Sequence, residues 1–316
     1  MVPGRGLEPL RIAPPDPKSG ASANFATLAR TGSILAQTLL RHHRGRFRFV
    51  RLQPPVIIRR MKFSVICILL LLEALPLSAF AGNSVVNLSH YDLMRPDFAG
   101  MKREGILGVI HEATYPRFDR DSRYRERHAE AARAGLLWGA YHYGDATNPV
   151  QQADHFLSVV ASSMPQTDPA TPSPGVLLVL DFEKNGHYRG GTMRVEQATA
   201  FVERIHQRTG HYPGVYCSEG RIRQMLYDRR VTPAQRQALT NCWLWVANYH
   251  YFPRNIAPWN HWDLWQYTGD GKCDVRPRSA YPKSIANIRK AERNIFRESN
   301  AGLELFWQAH AWRPGG

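Results

Sequence analysis

From Gly82 onward the chain alternates short apolar runs, rich in β-branched and aromatic residues, with longer segments whose apolar positions recur at helical spacing. Runs of the first kind read as strands and segments of the second kind as amphipathic helices. Strands are expected over 84–90, 106–113, 136–143, 176–183, 214–217, 242–249 and 262–267, and helices over 122–134, 149–164 and 193–209. Asn148 before Pro149 supplies an N-cap followed by proline at the first helical position. Near-continuous apolar strands separated by helices imply parallel strands covered on both faces. The later strands stand closer together, without clear helices between them. The predicted fold is therefore α/β, an irregular TIM-like (β/α) barrel with shortened or missing late helices. The tail 282–312 has helical spacing, with Ile285, Ile288, Ala291 and Ile295 on one stripe, and is expected to pack against the barrel. The segment 166–175, rich in Pro and Thr, reads as a surface loop leading into the fourth strand.

The region before Gly82 has a different texture. Within residues 1–60, eleven Lys and Arg face only Glu8 and Asp16, so this stretch carries most of the formal charge of +15. Met61 and Lys62 then open an apolar run from Phe63 to Leu77, interrupted by Ser64, Glu73 and Pro76 and followed by Ala79-Phe80-Ala81. This pattern predicts a signal peptide over 61–81, cleaved after Ala81, with an apolar run too short to cross a membrane. Residues 1–60 are then a basic leader or a mis-assigned start, and 82–316 form the folded domain. Its remaining positive excess is small and scattered, which argues against a nucleic-acid partner. An apolar content of 43% excludes disorder throughout. Cys217, Cys242 and Cys273 remain after loss of Cys67; one disulfide with a free thiol and three buried thiols are both compatible with their wide spacing.

Candidate chemistry gathers at the strand ends, which finish in polar and aromatic residues: Asn87, Ser89 and His90; Glu112 and Thr114; His142 and Tyr143; Asp181 and Glu183; Tyr216; Asn248 and Tyr249; Gln266 and Tyr267. In parallel barrels the C-terminal rim is where sites are built. The run Val176-Leu177-Leu178-Val179-Leu180-Asp181-Phe182-Glu183 places two acids where charge is otherwise poorly tolerated. Residues two apart on a strand share a face, with Cα atoms about 6.5 Å apart, so both acids point into one space. Rotation of the side chains brings the carboxyl groups near the roughly 5 Å separation of retaining glycosidases. Like charges this close favour protonation of one of them, and the protonated one is the candidate general acid. The plainer alternative is a capped strand end, with Lys184 or Arg189 as partner. A metal centre is disfavoured, because His111-Glu112-Ala113-Thr114-Tyr115 lacks the second His of a zinc protease helix. Tyr143, Tyr216, Tyr249, Trp265 and Tyr267 on the rim are suited to stacking on sugar rings, and Asn, Gln and Tyr to binding hydroxyl and acetamido groups.

At these residues the sequence resembles glycoside hydrolase family 25, the lysozymes or N-acetylmuramidases. The pieces are Asn87-Leu88-Ser89-His90, Ala113-Thr114, Tyr141-His142-Tyr143, Leu180-Asp181-Phe182-Glu183, Gly214-Val215-Tyr216, Trp265-Gln266-Tyr267 and Cys273-Asp274. The resemblance implies an irregular barrel, cleavage of the β-1,4 bond after N-acetylmuramic acid in peptidoglycan glycan strands, and no cofactor. It implies Glu183 as general acid, Asp181 as the group that stabilises developing positive charge or orients the substrate acetamido group, and Asp274 as a late acid of the site. Asn87, His142, Tyr143, Tyr216, Tyr249, Trp265 and Gln266 are the expected substrate-binding residues. The expected protein is a secreted or periplasmic monomer without membrane insertion after signal cleavage. Asn87 stands where the family commonly has an acid, and an amide cannot act as carboxylate nucleophile or base. That departure admits a second reading, a non-catalytic member that binds peptidoglycan. A chitinase-like enzyme of glycoside hydrolase family 18 is a third, weakened because the places of its further upstream acids are Leu177 and Val179.

Overall fold

The computed structural model describes residues 82–165, 175–186 and 188–314. The expected leader and signal peptide, and nearly all of the expected Pro/Thr-rich loop, lie outside the described residues. Eight strands close into a barrel: β1 (Gly82–Leu88), β2 (Gly108–Tyr115), β4 (Leu137–Tyr143), β5 (Val176–Asp181), β6 (Gly214–Ser218), β7 (Trp243–Ala247), β8 (Leu264–Thr268) and β9 (Glu292–Phe296). The two-residue β3 (Asp119–Arg120) hairpins onto β2. Neighbours from β1 through β8 are parallel, whereas β9 runs antiparallel to both β8 and β1. Every strand expected from the sequence is present.

Along each strand, alternate residues face inward. Val85, Ile110, Leu177, Val179, Trp243, Trp245, Leu264 and Phe296 fill the interior together with Leu303 and Trp307. Those last two come from α7 (Asn300–His310), whose N-cap Ser299 accepts from the Gly302 N–H at 3.2 Å. Trp307 is fully buried and donates from Nε1 to the Trp138 carbonyl at 3.0 Å. It leans on Gly108, where an added Cβ would stand 2.8 Å from the indole, so the closeness of this packing requires the missing side chain.

The outward faces of the strands meet a ring of helices: α1 (Phe98–Arg103), α2 (Tyr124–Arg133), α3 (Pro149–Ser162) and α4 (Val195–Thr209). The Asn148 side chain caps α3 as expected, accepting from the N–H groups of Val150 and Gln151. The late helices are short, with α5 (Glu219–Tyr227) and α6 (Pro233–Thr240) between β6 and β7, and residues 248–263 joining β7 to β8 without a helix.

The tail differs from its expected helical form. Ile285 and Ile288 exchange backbone hydrogen bonds across a turn, Ile295 lies in β9, and only the part from Asn300 is helical. The four stripe positions are all buried; shared burial, not helical periodicity, produced their spacing.

All three described cysteines are free and buried. Three histidines of the outer layer, His111, His128 and His142, are pushed down to about 4 by burial. Unfolded histidine titrates near 6.5, so below that value the unfolded chain binds protons that the folded chain refuses. Stability is expected to fall as pH drops from about 6.5 toward about 4, with a limiting slope near 4 kcal/mol per pH unit if all three contribute. Urea unfolding at stepped pH checks this, and replacing His128 with Gln should flatten the slope.

Candidate active site

The inward positions nearest the C-terminal rim are polar. Two residues beyond the interior Val85, Ile110, Val179 and Leu264 stand Asn87, Glu112, Asp181 and Gln266, and Tyr141 and Tyr216 are themselves interior residues. Because β9 is antiparallel, its first residue reaches the same rim. Glu292 pairs in register with Asn87, and Asn294 lies one inward step deeper.

Amides, phenols and an acid form one hydrogen-bonded chain across this rim. Tyr216 and Tyr249 both donate their hydroxyls to Gln266 Oε1, Tyr249 at 3.1 Å. Gln266 Nε2 donates to Asn87 Oδ1 at 3.1 Å, and Asn294 Nδ2 donates to the same oxygen at 3.0 Å. Asn87 Nδ2 donates to Glu292 Oε2. Trp245 Nε1 fixes Asn294 by donating to its Oδ1 at 2.7 Å.

Asp181 ends β5 and is buried, and Phe182 continues the pairing by donating its N–H to the Tyr216 carbonyl at 2.8 Å. The Phe182 ring lies under the Arg221 guanidinium, 4.0 Å away; Glu183, one residue on, lies within electrostatic reach of Tyr143 and Tyr216, as Asp181 does. Burial raises the Tyr143, Tyr216 and Tyr249 hydroxyls well above the ordinary phenol range, and the neighbouring Glu183 charge adds to the effect. These phenols therefore remain hydrogen-bond donors at any working pH.

A second group flanks the acids. Tyr188 lies 5.6 Å from Tyr115 and 5.2 Å from Tyr143, ring centre to ring centre, and shares a hydroxyl hydrogen bond of 2.9 Å with Tyr91. Asn185 ties this loop down, donating to the Tyr188 and Gly191 carbonyls and accepting from the Tyr188 N–H. Beside it, His90 Nδ1 lies 2.5 Å from Glu112 Oε2 and 3.6 Å from Asp121 Oδ2. Burial opposes its charge, yet hydrogen bonds and attraction from these two acids hold His90 protonated up to about 9. His90, Glu112 and Asp121 have the donor types of a metal site, with ligand atoms within 4.8 Å of one another. The imidazolium itself already stands between the two carboxylates as their cation.

The structure thus brings together Asp181, Glu183, Asn87, Tyr143, Tyr216, Tyr249 and Gln266. It places three other expected site residues elsewhere. His142 points outward, bonded to Thr114 Oγ1 at 2.8 Å and Gln152 Oε1 at 2.9 Å and stacked on Phe201. Trp265 also points outward, among Phe252, Trp262, Tyr267 and Tyr281, with Nε1 donating to the Asn248 carbonyl at 2.8 Å. The Asp274 side chain is 67% exposed, and His250 is its hydrogen-bond partner at 2.6 Å. Both outward residues adjoin inward ones, Tyr141 and Tyr143 in one case and Gln266 in the other. The residues missed from sequence are Glu292, Asn294, Tyr141 and Tyr188. An acid opening a strand is a rim signal only once that strand is known to run backwards.

A closed, mostly parallel barrel whose rim carries an Asp-x-Glu pair beside phenols and amides has the architecture of the barrel glycoside hydrolases. Comparison with known proteins agrees. The profile of Glycosyl hydrolases family 25 matches residues 86–274, and the chain belongs to that family. An autolytic lysozyme of Clostridium acetobutylicum is 35% identical over 65 residues, a match spanning 21% of this chain and 20% of that protein. Among solved structures, the bacterial lysozyme from Streptomyces coelicolor superposes with a TM-score of 0.54 at 22% identity, covering 72% of this chain and 97% of that one. A family GH25 lysozyme from Aspergillus fumigatus gives 0.53 at 21% identity, covering 73% and 99%. At these identities the likeness is one of fold.

Proposed function

We propose that this protein is a peptidoglycan hydrolase of the muramidase type, cutting the β-1,4 bond between N-acetylmuramic acid and N-acetylglucosamine. The observation that carries this reading is the placement of Asp181, the last residue of β5, and Glu183 just beyond it, both within electrostatic reach of the rim phenols Tyr143 and Tyr216. Glu183 donates a proton to the leaving oxygen and then withdraws one from the attacking water. Asp181 balances the positive charge that develops at the anomeric carbon, or orients the 2-acetamido group that attacks it. The wall of Tyr143, Tyr188 and Tyr115 offers ring faces to pyranose units. None of these steps calls for a cofactor. The proposal includes export directed by residues 61–81 and action on glycan strands as a monomer outside the cytoplasm.

The test is product chemistry. Purified peptidoglycan incubated with the protein should release fragments whose new reducing end, identified by mass spectrometry after borohydride reduction, is N-acetylmuramic acid. Reducing N-acetylglucosamine, or turnover of chitin oligomers in preference to peptidoglycan, would support the chitinase-like reading instead. Wall binding without any new reducing end would favour a binding protein.

A further inference from the structure

Asn87 is held in one orientation by its surroundings. Its Oδ1 accepts from Gln266 Nε2 at 3.1 Å and from Asn294 Nδ2 at 3.0 Å. Asn294 cannot turn its amide over, because its Oδ1 is engaged by the Trp245 indole, which can only donate; its Nδ2 therefore faces Asn87 Oδ1, and Gln266 must present Nε2 to the same oxygen. The Asn87 NH2 group therefore faces Glu292 across the β1–β9 pair and donates to its Oε2. A carboxylate accepts that bond more strongly than the carbonyl oxygen of a protonated acid does, so the amide favours the ionised form of its partner.

Several acids meet around this point. Tyr216 and Tyr249 each lie in the electrostatic reach of both Glu183 and Glu292, and Tyr141 in that of Glu112, Asp181 and Glu292. The phenols Tyr141 from β4, Tyr216 from β6 and Tyr249 after β7 thus have Glu292 as a charged neighbour in common with Glu112, Asp181 and Glu183. Like charges crowded in this way favour retention of a proton by one of the group. We propose that Asn87 and Glu292 form a positioning pair that decides where this proton resides: Asn87 keeps Glu292 ionised, and the proton is left to Glu183, the general acid. A carboxyl at position 87 could hold Glu292 only by sharing a proton with it, and that shared proton would compete with the one on Glu183. The inference rests on the muramidase reading of this rim.

The experiment uses the full chain in two parts. In the first, carboxyl-carbon NMR titration from about pH 4 to about pH 8 is recorded without substrate, Glu292→Gln and Glu183→Gln identifying the two signals. Glu183 is expected to titrate inside this window and Glu292 to stay ionised through it. Glu292 taking up a proton before Glu183 overturns the proposal, whether or not the protein cuts peptidoglycan. In the second, kcat/KM is followed against pH. Glu292→Gln removes a negative charge near Glu183, so the alkaline limb should move to lower pH, with at least a tenfold loss at the wild-type optimum. Asn87→Asp should fold, since Asp can keep both accepted hydrogen bonds, and should add an ionisation absent from the wild-type profile. A uniform fall across all pH values with an unmoved alkaline limb means a merely structural pair and overturns the proposal. If wild type releases no new reducing ends, the muramidase reading fails and the titration alone decides on the pair.

Discussion

Glu183→Gln is expected to lower the rate of glycan release by about a thousandfold while leaving the fold intact. The side chain is partly exposed, so the isosteric amide should unfold at nearly the wild-type urea concentration. What is lost is the proton. An amide cannot protonate a leaving alkoxide, and in the second half of the reaction it cannot take a proton from water, so both steps suffer. On the proposed mechanism the loss should fall on kcat with little change in KM, because the acid acts in the transition state. Asp181→Asn should cost less, since an amide still hydrogen-bonds the acetamido group while losing the charge. Retention of more than a tenth of wild-type kcat by Glu183→Gln would remove Glu183 from the role of general acid.

The largest expected effect on stability lies at the opposite end of the barrel. Trp307→Ala should destabilise the protein by about 3–5 kcal/mol, the usual range for deleting a buried indole. Trp307 closes the bottom of the barrel against Gly108 and leaves no exposed surface. Its loss opens a cavity that rigid strands cannot collapse into, and it removes the hydrogen bond to the Trp138 carbonyl. A second-site Gly108→Leu should recover part of the loss, because the new side chain would occupy the space vacated by the indole. Urea midpoints of the single and double variants test both statements.

The seven parallel strands were legible in the sequence because strands covered on both faces read as unbroken apolar runs. The same property hid which residue of each pair faces inward. His142 and Trp265 stand one position from Tyr143 and Gln266, and in a strand apolar on both sides nothing in the sequence separates the two faces. Asp181 and Glu183 escaped this ambiguity because two acids closing an apolar run leave only one face on which both can sit. The eighth strand was hidden for a different reason. Glu-Arg-Asn opens β9 with charge and amide, giving no apolar run, and its outward residue Ile295 falls into register with Ile285, Ile288 and Ala291. Asp274 was expected from the resemblance alone: its N–H bonds the Tyr249 carbonyl at 2.7 Å, but in a loop the nearness of a backbone does not fix where a side chain turns.

The antiparallel course of β9 ties the two ends of the folded region together at the rim. Asn87 and Glu292 are 205 positions apart in the chain, and β9 is the strand that joins β8 back to β1. A chain ending before Glu292 would contain Asp181 and Glu183 but lack the strand that joins β8 to β1. Its amide at Asn87 has no acid to answer it. Closing the barrel and forming the Asn87–Glu292 contact are therefore one event.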